Sequence, residues 1–156
     1  MLTVSTSKAA GEGVDESGAR LAELAKQLGL EVAAREVVAD DREAIADRLR
    51  VLADEGGCAL VLTTGGTGFA PSDVTPEATR DVIEREAPGV AEALRLASRE
   101  RARHWMLSRG VAGIRGRALI VNFPGNPRSI GEVAEAIAGS LPHALELLAG
   151  ERSPHG

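Results

Sequence analysis

Aromatic side chains are almost missing: two phenylalanines, one tryptophan and no tyrosine in 156 residues. Nucleic-acid binders need rings on which bases stack and a basic face for phosphates. With a net charge of −5 as well, the composition argues against a nucleic-acid partner. The single cysteine, Cys58, cannot form an internal disulfide and reads as a small core residue at the start of a strand. No apolar run approaches the roughly 20 residues of a membrane helix, and no basic-then-apolar leader is present, so no membrane partner and a cytoplasmic setting are expected. The three histidines (His104, His143, His155) are scattered without ligand spacing. No Cys–His or Ser–His–Asp order stands out, so covalent nucleophilic catalysis is not expected, and Ser108 reads as a hydrogen-bonding loop residue.

What is present is an apolar fraction of 44% and a charged fraction of 26%, which suit a globular chain. Length predicts one α/β domain over residues 1–150, with 151–156 as a frayed tail. The chain is organised around Leu60–Asp73. A buried strand, Ala59 to Leu62, runs into Thr63, Thr64, Gly65, Gly66, Thr67 and Gly68. Such a loop can take positive φ and let its backbone approach a ligand. No Gly-Lys-Ser/Thr follows, so it is not a Walker loop. Thr75 is expected to cap the next helix, with Pro76 at its first position and Glu77 at the positive end of its dipole.

Leu2–Ser5 reads as the first strand and Thr6–Glu16 as a loop. Ser17 is expected to cap a helix to about Leu28, closed by Gly29, with Glu31–Val38 as the second strand. A helix from Asp40 to about Ala53 precedes the central strand. This β-α-β-α-β alternation predicts a mostly parallel sheet with right-handed crossovers. After a break at Pro88-Gly89, Val90–Arg103 reads as a helix. Val111–Ile114 and Arg117–Val121 flank Arg115-Gly116, an antiparallel edge hairpin. Asn126 caps a last helix to about Leu148, with Ile130, Val133, Ile137, Leu141 and Leu145 inward.

Asp40, Asp73 and Asn122–Gly125 each follow a strand, so a parallel sheet gathers them at its carboxyl edge, where ligands bind. Two carboxylates there suit Mg²⁺. Asp40 with Glu43 also reads as a capping box, whereas Asp73 has no such explanation beside Thr75. Seven arginines lie between Arg95 and Arg117, opposed only by Glu100. Arg95–Arg103 read as a solvated helix face; Arg109 and Arg115, beside a loop and a turn, are candidates to face an anion.

The segments Thr63-Thr64-Gly65-Gly66-Thr67-Gly68-Phe69, Asp73-Val74-Thr75-Pro76-Glu77-Ala78-Thr79, Met106-Leu107-Ser108-Arg109, Ala112-Gly113-Ile114-Arg115-Gly116 and Asn122-Phe123-Pro124-Gly125-Asn126-Pro127 occur in this order. Together they resemble the molybdopterin adenylyltransferase family, the MogA/MoaB-type proteins of molybdenum-cofactor biosynthesis with the related domain of gephyrin. The resemblance spans Thr3 to about Leu148. It implies a three-layer α/β sandwich, a homotrimer, and a Mg²⁺-dependent reaction of molybdopterin with ATP to give adenylyl-molybdopterin and pyrophosphate. A downstream molybdenum insertion protein is an implied partner.

Carried over by position, Asp40 and Asp73 are the implied catalytic and metal-holding acids. Gly65, Gly66, Thr67, Gly68, Ser98, Ser108, Asn122, Pro124 and Gly125 are the implied substrate-binding residues. The chain departs from the family pattern at Thr6, where an Asp often stands, and at Ala102-Arg103, where Thr-Pro is usual. A nucleotide pyrophosphatase on the same fold and a non-catalytic pterin scaffold are the alternatives. Valine at Gly66 is expected to block backbone approach to phosphate while the fold survives.

Overall fold

The computed structural model describes residues 1–150. The tail read as frayed lies outside the described residues. Strands β1 (Leu2–Val4), β2 (Glu36–Val38), β3 (Leu60–Thr64), β4 (Arg85–Glu86), β5 (Ala112–Arg115) and β6 (Ala118–Phe123) form one sheet, in the order β2-β1-β3-β6-β5-β4. β2, β1, β3 and β6 run parallel; at one edge β5 pairs antiparallel with β6, and β4 antiparallel with β5.

The helices are α1 (Thr6–Ala9), α2 (Glu16–Gln27), α3 (Arg42–Arg50), α4 (Thr75–Arg80), α5 (Pro88–Ala97), α6 (Pro127–Ala138) and α7 (Leu141–Ala149). Alternation along the strands splits the core in two. Leu62, Leu119, Val121 and Phe123 face α2, α5, α6 and α7 through Leu21, Leu94, Ile130, Val133 and Leu141. Val61 and Ile120 point the other way, onto Ile45 and Leu49 of α3 and Ala78 of α4. The sheet is therefore covered on both faces, and its central strands read as continuous apolar runs rather than alternating ones. This is the expected three-layer sandwich.

Several boundaries differ from expectation. The Thr6–Glu16 loop contains α1, capped by Ser5, whose Oγ accepts from Lys8 N. Asp15, not Ser17, caps α2 by accepting from Gly18 N at 2.9 Å. β2 has only three residues, and β4, a two-residue strand opposite Gly113 and Ile114, was not foreseen. α3 continues as a π-helical turn over Val51–Glu55. Pro88-Gly89 opens α5 instead of preceding it, because Pro suits the first helical turn. The hairpin turns on Gly116-Arg117, one residue later than read, with Gly116 at φ 55°. The last helix is two: Gly139-Ser140 interrupts it, and Pro142 follows in the first turn of α7.

Candidate functional site

β3 delivers the glycine-rich loop to the carboxyl edge of the sheet. Gly65 (φ 97°) and Gly66 (φ 64°) take backbone conformations that side chains disfavour. The loop's carbonyls are all engaged by protein donors. Thr75 Oγ1 donates to Gly65 O at 2.9 Å and Thr75 N to Gly66 O at 3.1 Å. Arg109 N donates to Thr67 O at 2.8 Å, and Arg109 Nε to Gly68 O at 2.7 Å. In a trans peptide the N–H points opposite to the C=O of the same plane. Four inward carbonyls, on residues 65–68, therefore turn outward the four amides of Gly66, Thr67, Gly68 and Phe69. Among the described residues these amides donate to no protein acceptor. Successive outward amides make an anion-binding concavity.

Thr75 is thus not the helix cap expected from sequence. It is the first residue of α4, follows Val74 at the N-cap, and spends its hydroxyl on the glycine loop.

Asp73 sits against this concavity. A Cβ on Gly68 would lie 2.8 Å from Asp73 Oδ2, so the carboxylate rests where a side chain at 68 would go. Asp73 Oδ2 also accepts from Ala70 N at 2.9 Å, closing a turn; Oδ1 has no protein donor among the described residues. Asp40 follows β2. Its Oδ2 accepts from Thr6 N (2.8 Å) and Thr6 Oγ1 (2.9 Å). The capping-box reading of Asp40 is overturned: Asp41 caps α3, accepting from Ala44 N at 2.8 Å. Asp40 instead reaches across to the end of β1, and Thr6 takes up one of its oxygens.

Two clefts lie at this edge. One of about 540 Å³ is bordered by Ser5, Lys8, Asp15, Ser17, Gly65 and Gly125, among others. The other, about 300 Å³, is bordered by Ser98, Arg103, His104, Trp105, Ser108 and Pro124, with Asn122 at its base. The structure therefore distributes the residues singled out from sequence. Gly65 and Gly125 face the first cleft; Ser98, Ser108, Asn122 and Pro124 face the second. Gly66, Thr67, Gly68, Asp40 and Asp73 border neither. The 124–125 segment is pinned where the two clefts approach one another: Thr64 Oγ1 donates to Pro124 O at 2.7 Å, and Ser17 Oγ to Gly125 O at 2.8 Å. A Cβ at Gly125 would lie 3.2 Å from Gly65 Cα, so the two loops touch through glycines.

The side chain of Asn122 is tied to the protein at both its amide nitrogen and its oxygen. Its Nδ2 donates to Thr63 Oγ1 (3.0 Å) and Thr79 Oγ1 (2.9 Å), and its Oδ1 accepts from Val111 N (3.0 Å). At 4% exposure it braces the strand ends that carry the site.

Arg109 and Arg115, the candidates to face an anion, are tied to protein groups instead. Arg109 donates to Gly68 O and Asp73 O and pairs with Glu77, whose carboxyl it holds below the ordinary carboxylate range. Its charge shapes the loop from behind. Arg115 pairs with Asp54 and donates to Val82 O, on the hairpin side of the sheet. Arg95 donates to Gly110 O. Lys8, a cation bordering the larger cleft, was missed by sequence reasoning because it lay in a segment read as featureless loop. Among the described residues no three His, Cys, Asp or Glu side chains cluster as a ready-made metal site.

A mixed sheet with an amide concavity and a carboxylate at its carboxyl edge defines an α/β protein whose candidate site lies at that edge. The chain belongs to the family described as "Probable molybdopterin binding domain", whose match covers residues 1–143. It is 45% identical over 115 residues to the molybdopterin adenylyltransferase of Helicobacter pylori J99, covering 74% of this chain and 65% of that protein. The corresponding figures for the Escherichia coli K12 protein of the same name are 42% over 126 residues, 73% and 65%. This chain thus spans about 65% of the length of these curated relatives. Among solved structures it resembles the molybdopterin biosynthesis enzyme MoaB of Thermus thermophilus, with 48% identity and a TM-score of 0.89, covering 96% of this chain and 94% of that one. The Mog protein of Mycobacterium ulcerans superimposes with a TM-score of 0.88 at 37% identity, covering 94% and 95%.

Proposed function

We propose that this chain transfers the adenylyl group of ATP to the terminal phosphate of molybdopterin, releasing pyrophosphate. The observation that carries the reading is the set of four outward amides at Gly66–Phe69, held by Thr75 and Arg109, with the Asp73 carboxylate at their mouth. A phosphate monoester loses its second proton near pH 6, so the attacking oxygen is already anionic at neutral pH. It forms a bond to the α-phosphorus of ATP as the bond to the pyrophosphate oxygen breaks. No protein base is required, which agrees with a site lacking a triad. The chain's contribution is positioning and electrostatics. The loop amides hold phosphate oxygens, Lys8 adds a positive charge at the larger cleft with Gly125 on its border, and Ser98, Ser108 and Pro124 border the pterin's place.

Asp73 and Asp40 fit Mg²⁺: each keeps one carboxylate oxygen free of protein donors, and Mg²⁺ takes one or two carboxylates plus substrate phosphates. When bound, the ion supplies neutralisation of phosphate charge. Asn122 enters this reading as a brace, not as a hydrogen-bond partner of the substrate. The family resemblance supports a homotrimer, a cytoplasmic setting and hand-over of product to a molybdenum insertion protein. No helix among the described residues is long and apolar enough to cross a membrane.

Incubation with molybdopterin, Mg²⁺ and ATP tests the proposal; adenylyl-molybdopterin and pyrophosphate are expected in equal amounts. Hydrolysis of ATP without pterin would favour a nucleotide pyrophosphatase. Pterin binding without ATP turnover would favour a scaffold. A light-scattering mass equal to one chain at micromolar concentration would contradict the trimer.

A further inference from the structure

Trp105 is the one Phe, Tyr or Trp residue that borders either cleft. The other two such residues are placed otherwise: Phe123 is fully buried in the core, and Phe69 is 66% exposed and borders neither cleft. Trp105 is half-buried and opens a 3₁₀ turn, Trp105–Leu107. Its backbone is fixed at both ends: Trp105 N donates to Ala102 O at 3.0 Å, and Ser108 N donates to Trp105 O at 3.2 Å. The next residue, Arg109, is anchored to the glycine loop through its backbone and guanidinium. Trp105 is therefore held on the same rigid connector that shapes the amide cradle.

The remaining border of this cleft combines an apolar patch, Ala91 and Leu94, with hydroxyls at Ser98, Ser108 and Ser129, the His104 ring and a cation at Arg103. An apolar wall, one large ring and a few hydrogen-bonding groups suit a planar, fused nitrogen heterobicycle. Both reactants of the proposed reaction carry one, a pterin and an adenine. The larger cleft, bordered by Lys8 and Gly65 as well as by Asp15 and Glu16, has the room for the bulkier triphosphate nucleotide. The smaller cleft is left for the pterin.

We propose that Trp105 is the stacking face for the pterin ring, an affinity-determining contact in the second cleft. The inference rests on the adenylyl-transfer reading. Stacking on an aromatic side chain tolerates any π-face, so Phe should replace Trp, whereas Leu fills the same apolar space without one.

Equilibrium dialysis of the full chain against molybdopterin, and separately against ATP with Mg²⁺, tests it in the wild type and in Trp105→Phe, Trp105→Leu and Trp105→Ala. Thermal unfolding of each variant is recorded alongside. The expected result is a pterin Kd about tenfold higher in Trp105→Leu and Trp105→Ala, within about threefold of wild type in Trp105→Phe, and an unchanged ATP Kd. Equal pterin affinity in Trp105→Leu and wild type would overturn the inference while leaving the adenylyl-transfer reading intact. Loss of ATP affinity with pterin affinity retained would overturn the assignment of this cleft to pterin. Absence of pterin binding in the wild type would overturn both.

Discussion

Arg109 holds the glycine loop with several hydrogen bonds, to Thr67 O, Gly68 O, Asp73 O and Glu77. Truncating it removes the side-chain bonds and leaves the Gly68 and Asp73 carbonyls to find water. At about 1 kcal/mol per lost hydrogen bond, Arg109→Ala should cost about 2–3 kcal/mol in urea unfolding and weaken phosphate-ligand binding. Arg109→Lys should not restore binding, because one ammonium cannot reproduce a planar fork. The glycines separate by cause. Gly65 and Gly66 have positive φ, and a Cβ would collide with Val4 O and Thr75 Oγ1 respectively. Valine at Gly66 should therefore displace the Thr75 hydroxyl and disturb loop packing locally, as well as block backbone approach to phosphate. Gly68 has no positive φ, and its added Cβ would meet only the Asp73 carboxylate. Gly68→Ala should therefore keep the unfolding midpoint within a few degrees while lowering turnover, measured as pyrophosphate release per chain. A large loss of stability would show that residue 68 serves the fold, not the acid.

At the scale of elements, what the sequence made legible followed from periodicity and turn chemistry. β1, β3, the β5–β6 hairpin and the Asn126-Pro127 start of α6 carry apolar runs or caps whose local preference agrees with their place in the fold. What was missed depends on long-range pairing. β4 is two exposed residues whose strand character comes only from Ile114 and Gly113 beside it. Thr75 as a cap, Arg109 as an anion-facing group and Asp40 as a cap were misread for the same reason: their partners, Gly65, Gly68 and Thr6, are 10, 41 and 34 residues away. Nothing local distinguishes an arginine that faces an anion from one that ties a loop. One element allows a direct check. Gly131 lies inside α6, and a Cβ there would make an ordinary 3.6 Å contact with Arg20 Nη2. Gly131→Ala should stabilise by about 0.5–1 kcal/mol, from helix propensity and a less disordered unfolded chain. Destabilisation in thermal unfolding would mean that α2 and α6 pack more closely than described.

For the whole molecule, four of the carboxylates are neutralised locally in specific pairs: Arg48–Glu36, Arg42–Asp81, Arg115–Asp54 and Arg109–Glu77. In each, hydrogen bonding to the guanidinium holds the carboxyl below its ordinary value, 4.5 for the two glutamates and 3.8 for the two aspartates. A carboxyl lowered in the folded state contributes stability that is complete above its unfolded value and lost as pH falls through the folded one. The unfolding midpoint should therefore drop as pH is taken below about 4, and Glu77→Gln should flatten part of that fall. An acid limb that Glu77→Gln leaves unchanged would remove Glu77 from this account.

The central claim is that the amide cradle and Asp73 divide binding from chemistry, and Asp73→Asn tests it most directly. Asparagine can still accept from Ala70 N through its carbonyl oxygen, so the turn should keep its shape. What is lost is a negative charge at the mouth of the cradle. Measured together, the molybdopterin Kd by equilibrium dialysis should stay within a few-fold of wild type. Adenylyl-molybdopterin formation at saturating pterin should fall by roughly 10²–10³, the usual cost of one electrostatic stabiliser. Normal turnover in Asp73→Asn, or a loss of pterin binding as large as the loss of turnover, would contradict the account.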